Sequence, residues 1–189
     1  GKKGETYTAI PFWAASNNGN TFAYIAKKDK QYALVLDQKE GLVREIITDV
    51  QLSPDGTRFA YVVGENCQTI EDDEGKGCAY FLVQDGQEHK RYESIQKVIF
   101  SPDGKHVAYL AEDSSRNIVI LDGVEDATYA WVRDILFSPD SSRLAYLIQD
   151  LGSFEYFVAF RGQEADQSNT PSYGGIENLV FSPDGNSLA

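Results

Sequence analysis

Side chains that could act as bases near neutral pH are few in this sequence. His89 and His106 are its only histidines, and no Gly-x-Ser-x-Gly motif offers a serine nucleophile. No glycine-rich phosphate loop stands between a strand and a helix signal. Because general acid–base and nucleophilic catalysis need such groups together, we expect no enzymatic activity and no cofactor from these residues.

The two cysteines of the chain, Cys67 and Cys78, stand at the two ends of one loop. They are either a disulfide that clamps the loop or a pair of free thiols in a reducing cytosol. We favour the disulfide by analogy with the paired cysteines of secreted domains, and closing so short a loop contributes roughly 2–3 kcal/mol. A zinc site is poorly supported because His89 is the nearest histidine and no other cysteine exists.

A run of four carboxylates at the tip of this loop could bind a hard cation such as Ca²⁺. The run consists of Glu71, Asp72, Asp73 and Glu74. Successive side chains do not converge on one point, and the spacing of an EF-hand is missing. We therefore expect a solvated, charged tip and no metal site.

A second set of carboxylates recurs in Ser-Pro-Asp motifs. These aspartates are Asp55, Asp103, Asp140 and Asp184. They would form an acidic ring if their turns shared one rim. We prefer the alternative, in which each aspartate accepts hydrogen bonds from the backbone amides of its own turn. Four aligned glutamates are likewise expected to be solvated turn positions; they are Glu40, Glu88, Glu125 and Glu164.

The Ser-Pro-Asp motifs belong to a longer repeated motif, and its copy at residues 98–110 predicts a β-hairpin. Proline presets φ at the second turn position, aspartate tolerates the third, and glycine takes the left-handed fourth. The complete turns are Ser53, Pro54, Asp55 and Gly56; Ser101, Pro102, Asp103 and Gly104; Ser138, Pro139, Asp140 and Ser141; and Ser182, Pro183, Asp184 and Gly185. A degenerate copy lies at residues 16–19, and in every copy an alanine follows seven residues after the serine.

The spacing of these turns indicates a repeat of four strands. The serines at 16, 53, 101, 138 and 182 lie 37, 48, 37 and 44 residues apart. A second turn motif, Asp-Gly-Gln-Glu or a variant of it, follows an apolar run in each repeat. Self-similarity at about 40 residues with four strands per unit is typical of a β-propeller blade.

The residues at 50–63, 98–111, 135–148 and 179–189 resemble the PD40 repeat, also called the WD40-like or TolB-type propeller repeat. The resemblance covers nearly the whole chain. It implies an all-β propeller of four-stranded antiparallel blades in one domain, 1–189, with four complete blades and the start of a fifth. We expect the blades at about 9–47, 48–93, 96–130, 134–172 and 177–189.

Each blade should begin with an apolar innermost strand that is buried on both faces. The outermost strand of the first blade is expected at residues 43–47. Trp13 and Trp131 fall in or near innermost strands, where core packing is expected. The chain stops within a strand and the family usually has six or seven blades, so we expect the ring to be larger than this chain.

The charge of the chain argues against two classes of partner. The net charge is −12, from 17 Lys and Arg against 29 Asp and Glu. An anionic surface repels phosphate backbones and anionic lipid, so nucleic acid and membrane surfaces are unfavourable partners. No apolar run approaches 18 residues, and no membrane insertion is expected.

The resemblance implies a non-enzymatic scaffold that binds a protein or peptide in the bacterial envelope or outside the cell. The expected disulfide and the resemblance both favour a periplasmic or extracellular location. The alternative is the propeller domain of a larger serine peptidase similar to prolyl oligopeptidase. A third interpretation is self-association through open blade edges.

Overall fold

A computed structural model describes residues 6–67, 77–162, 171–176 and 179–189. These residues form β-strands joined by turns, and none of them lies in a helix that could cross a bilayer. The chain divides into two compact units, Gly1–Ser94 and Ile95–Ala189.

The first unit contains two antiparallel sheets, each of four strands in sequential order. The first sheet consists of β1 (Ala9–Ala15), β2 (Phe22–Lys28), β3 (Gln31–Leu36) and β4 (Lys39–Arg44). The second sheet consists of β5 (Ile46–Leu52), β6 (Phe59–Glu65), β7 (Ala79–Gln84) and β8 (Gln87–Tyr92).

The second unit repeats this arrangement. Its first sheet consists of β9 (Ser94–Phe100), β10 (Val107–Asp113), β11 (Arg116–Leu121) and β12 (Val124–Tyr129). Its second sheet consists of β13 (Val132–Phe137), β14 (Leu144–Gln149) and β15 (Tyr156–Phe160). The edge of β15 pairs with Tyr173 at one isolated bridge, and Phe181 and Leu188 form another. The outer strand expected before residue 172 falls largely on residues 163–170, which lie outside the described ranges.

Turn chemistry determines where the outer strands begin. Asp37 and Gln38 both have positive φ, as the two central residues of a type I′ hairpin turn do. The fourth strand therefore starts at once and runs over Lys39–Arg44, so the expected range of 43–47 was wrong. Ile47 belongs instead to β5, where it is buried in the core.

Each unit has a hydrophobic core between its two sheets. In the first unit, one face of the first sheet places Ala23, Ile25 and Leu34 in the core with Tyr61 and Phe81 of the second sheet. In the second unit, Ala108, Leu110 and Val119 share a core with Leu144, Tyr146 and Ile148. The alanine of the repeat in one blade, Ala23 or Ala108, leaves room for the facing sheet. The tyrosine of the repeat in the next blade, Tyr61 or Tyr146, fills the space between the two sheets.

Ion pairs link the two sheets within each unit. Arg44 of β4 lies 3.0 Å from Glu88 of β8. In the second unit, Asp126 of β12 lies 3.3 Å from Arg161, and Lys97 of β9 pairs with Asp134 of β13. The Tyr146 hydroxyl also donates to Asp126, and burial followed by this hydrogen bond raises the pKa of Tyr146.

Candidate functional site

The repeated turns hold their aspartates in a closed local network. The hydroxyls of Ser53, Ser101, Ser138 and Ser182 donate to the aspartate two residues on, at 2.5–2.6 Å. Each serine oxygen also accepts from the backbone N–H five residues on, at 2.9–3.0 Å. Each aspartate accepts from the N–H two residues further, at 3.0–3.1 Å. The carboxylates are thus directed into their own turns.

These hydrogen bonds keep the turn aspartates anionic. The hydroxyl of Ser138, followed by the donors of Ser142, lowers the pKa of Asp140 to about 2. The serine of the same turn is likewise the largest cause that lowers the pKa of Asp55, Asp103 and Asp184. Groups with such low pKa values carry no proton near neutral pH, so they stabilise turns and cannot serve as general acids there.

The pKa of Asp140 makes folding stability depend on pH. A carboxyl whose pKa is lower in the folded chain stabilises it above the unfolded value of about 3.9, and this contribution is lost as the pH falls through the folded value. The first turn shows that an amide can replace the carboxylate, because Asn18 Oδ1 accepts from Ser16 Oγ at 2.7 Å and from the Asn20 N–H at 2.9 Å. We expect Asp140→Asn to flatten the loss of stability between pH 4 and pH 2. Urea unfolding of the wild-type chain and the variant across this pH range measures the difference. Identical pH profiles of the free energy of unfolding for the two proteins would contradict the prediction.

Cys67 and Cys78 form a disulfide between the end of β6 and the start of β7. The free-thiol interpretation therefore does not hold for this structure. The acidic tip, Glu71 to Glu74, lies outside the described residues. Within the described ranges, no group of three or more His, Cys, Asp or Glu side chains is placed to hold a metal ion.

The disulfide should contribute measurably to stability. Its cysteines are 11 residues apart, and closing a loop of this size contributes roughly 2–3 kcal/mol in the chain-entropy model. We expect the Cys67→Ser, Cys78→Ser double variant to unfold at correspondingly lower urea. The wild-type chain with reductant should match it, while reductant should leave the variant unchanged. A wild-type chain that is insensitive to full reduction would refute this contribution.

The other polar residues singled out in the sequence take part in surface contacts. His106 Nδ1 lies 2.7 Å from Asp122 Oδ2, which belongs to the turn between β11 and β12. Glu40 accepts from the Tyr7 hydroxyl at 3.0 Å. Glu88 pairs with Arg44 and Arg91. Glu164 lies outside the described residues.

One face of the first sheet carries a row of aromatic side chains, of which Trp13 and Phe22 are exposed and Tyr7 and Tyr24 are half-buried. The pairing of β1 with β2 sets Trp13 opposite Tyr24 and Ala15 opposite Phe22, so these residues share a face. The Trp13 and Phe22 rings are 6.0 Å apart, Phe22 and Tyr24 5.9 Å, and Tyr7 and Tyr24 6.2 Å. We call the row Tyr7, Trp13, Phe22 and Tyr24 the aromatic face.

The expected burial of the innermost strand is wrong for β1. Trp13 is 66% exposed, whereas Val50 and Ile135, which hold the same place in the repeat, are 2% and 0% exposed. Val50 is covered because its face of the second sheet packs on the first sheet. Trp131 is also exposed rather than packed in a core, since it lies just before β13. The first sheet therefore leaves in solvent a face that other copies of the repeat bury.

Comparison with known proteins identifies the fold. No family model and no curated protein matches the chain. Among solved structures, the propeller domain of the trilobed protease from Pyrococcus furiosus is 11% identical over 94% of this chain and 60% of its own, with a TM-score of 0.56. TolB from Acinetobacter baumannii is 17% identical over 95% and 48%, with a TM-score of 0.53. A eukaryotic initiation factor is 14% identical over 89% and 44%, with a TM-score of 0.57.

The chain has a β-propeller fold. Its sheets are the blades, so the predicted fold class is confirmed. The chain spans 44–60% of the length of these three structures. At identities of 11–17%, the likeness to them concerns the fold and not the activity.

The open aromatic face of the first blade was missed by the sequence interpretation, although one signal was present. Three residues before the turn serine, the second, third and fourth blades carry the aliphatic residues Val50, Val98 and Ile135. The first blade carries Trp13 there. Such a departure within a repeat marks a position with a different environment, and comparing the copies would have found it.

Proposed function

We propose that this chain is a non-enzymatic scaffold that binds a protein or peptide through the aromatic face of its first blade. The observation that carries the proposal is the exposure of Trp13 and Phe22 in a row of touching rings. Large aromatic side chains dominate the energy of protein interfaces because they bury much area with little loss of conformational freedom. A contiguous apolar patch of this kind is typical of an interaction site.

The blade is a suitable platform for such a surface. The rings stand on paired strands whose other face is packed in the core of the first unit. A surface that is already ordered loses little entropy on binding, so more of the contact energy appears as affinity. The propeller thus acts as a rigid support for its partner.

We further propose a periplasmic or extracellular location. The disulfide between Cys67 and Cys78 supports it, because disulfides persist in oxidising compartments. The resemblance of the repeat to the TolB type points the same way.

The second candidate is the propeller domain of a larger serine peptidase. It is supported by the fold of the trilobed protease propeller, which is similar to this chain. A gene that joins this propeller to an α/β-hydrolase domain with a nucleophile elbow would favour this candidate.

Selection from a phage-displayed library of random peptides tests the scaffold proposal. We expect peptides that bind the wild-type chain and bind Trp13→Ser at least about tenfold more weakly, a loss of about 1.4 kcal/mol. Trp131→Ser is the matched control, since Trp131 is an exposed tryptophan of the other unit, and binding should be unchanged. A library that yields no binder, or peptides that bind Trp13→Ser as well as the wild type, would overturn the proposal.

A further inference from the structure

A carboxylate recurs at one position of the repeat in the first three blades. Asp37, Asp85 and Asp122 each begin the turn after the third strand of their blade. Each accepts through Oδ1 from the backbone N–H of the first residue of the second strand, at 2.9–3.1 Å. The backbone N–H of each aspartate in turn donates to the carbonyl of that same residue, at 2.9–3.0 Å. These hydrogen bonds join the start of the second strand to the end of the third.

In the second and third blades a basic side chain completes this arrangement. Arg58 Nε lies 2.9 Å from Asp85 Oδ2, and His106 Nδ1 lies 2.7 Å from Asp122 Oδ2. One oxygen of each carboxylate therefore contacts a backbone N–H, and the other contacts a side-chain nitrogen. The side chains of Asp85 and Asp122 are 37% and 41% exposed, so this place in a blade can be reached from solvent.

The fourth blade keeps the donors of this arrangement and replaces its carboxylate. Arg161 holds the place of the aspartate, because its backbone N–H donates to Leu144 O at 2.9 Å. The Arg161 side chain pairs with Asp126 instead, at 3.3 Å. Arg143, five residues after the turn serine, holds the place of Arg58. At this position of the repeat the fourth blade thus has an arginine where the first three have an aspartate.

Two donors at this place have no acceptor in the part of the chain that the structure describes. The backbone N–H of Leu144 forms no hydrogen bond there, although Leu144 is buried. The terminal nitrogen Nη2 of Arg143 is also buried without a partner, while the guanidinium lies 5.3 Å from the ring centres of Phe160 and Phe181. Buried donors without an acceptor are rare in native proteins, and a charge without a counter-charge is costly to bury. These donors therefore lack one carboxylate.

We propose that the fourth blade binds a carboxylate from outside the chain, at the place that Asp85 fills from within the second blade. The Leu144 N–H donates to one oxygen, and the Arg143 guanidinium lies beside the other. Hydrogen bonds between a guanidinium and a carboxylate are among the strong ones in proteins. The carboxylate belongs to a small organic acid or to an acidic side chain of a polypeptide, which present the same two oxygens. This site lies in the second unit and does not depend on the aromatic face.

Acetate is the probe for this site, observed by NMR through the Leu144 amide at pH 7 and constant ionic strength. We expect a saturable downfield shift of the Leu144 amide proton with acetate, and none with acetamide, which has the same shape but no charge. Arg143→Met should raise the dissociation constant of acetate at least about tenfold, because a charge-assisted hydrogen bond is lost. Arg133→Met is the matched control, since Arg133 is an exposed arginine of the same unit, and it should leave the constant unchanged.

Arg161→Asp is a second variant that does not remove Arg143. It recreates before Gly162 the Asp-Gly turn of Asp85 and Gly86. The new carboxylate should occupy the site, so the Leu144 amide should be shifted without acetate and should no longer respond to it.

A peptide separates the two sources of the carboxylate. Acetyl-Ala-Asp-Ala-amide should bind more tightly than acetate if the site takes an acidic side chain of a polypeptide, and no more tightly if it takes a small acid. Either result supports the site. The absence of a saturable shift with acetate, an equal shift with acetamide, or acetate binding that is unchanged in a folded Arg143→Met or Arg161→Asp variant would overturn the proposal.

Discussion

Replacing Gly56 with alanine is expected to lower the free energy of unfolding by about 3–5 kcal/mol. Gly56 closes the turn of the second blade with φ of +74°, a conformation that costs any residue with a Cβ. A Cβ atom at this position would also lie 2.5 Å from Thr21 Oγ1 and 2.7 Å from Ser16 Cβ in the first blade. Backbone strain and steric overlap therefore add.

The overlap matters because the first two turns are hydrogen-bonded to each other. Thr21 Oγ1 donates to Gly56 O at 3.0 Å, and the Asn17 N–H donates to Pro54 O at 3.0 Å. The side-chain amide of Asn18 donates to Asp55 O, also at 3.0 Å. Relieving the clash would require these bonds to lengthen, so the variant loses contacts between blades as well as local turn stability.

Gly19 provides the matched control for this substitution. It holds the same turn position in the first blade with φ of +69°, but a Cβ there meets no atom within 4 Å. We expect Gly19→Ala to cost only the strain of the left-handed conformation, about 1–2 kcal/mol. Urea unfolding of both variants measures the difference. Equal losses would contradict the tight contact between the two turns.

Phe81→Ala is expected to destabilise the first unit by about 3–5 kcal/mol. Phe81 is completely buried in the core between the first two blades, and the Arg91 guanidinium lies 4.4 Å from its ring centre. Removing the ring loses the free energy gained by burying it, and leaves a cavity beneath the Arg91 guanidinium. The loss should appear as a lower urea midpoint.

Leu42→Ala is the control for the core substitution, because Leu42 is exposed in the same unit. Its effect should remain within about 0.5 kcal/mol, as is usual at surface sites. If Phe81→Ala were as mild as Leu42→Ala, the core between these blades would not be packed as described.

Local turn chemistry made most of this fold predictable. The Ser-Pro-Asp-Gly turns depend on hydrogen bonds between residues at most five positions apart, as those of Ser53 and Asp55 show, so their sequence is enough to locate the hairpins. The start of β4 was missed because its turn, Asp37 and Gln38, contains no glycine to mark the positive φ values.

Burial was harder to predict because it depends on what covers a face. Trp13 is apolar and lies in a strand, and nothing in its immediate sequence distinguishes an open face from a covered one.

The fluorescence of a Trp131→Phe variant most directly tests whether the aromatic face is open. The substitution leaves Trp13 as the only tryptophan of the chain. At 66% exposure, Trp13 should emit close to the wavelength of free N-acetyl-tryptophanamide, and acrylamide should quench it with comparable efficiency. Blue-shifted emission that resists acrylamide would show that the face is covered, and would contradict the proposed binding surface.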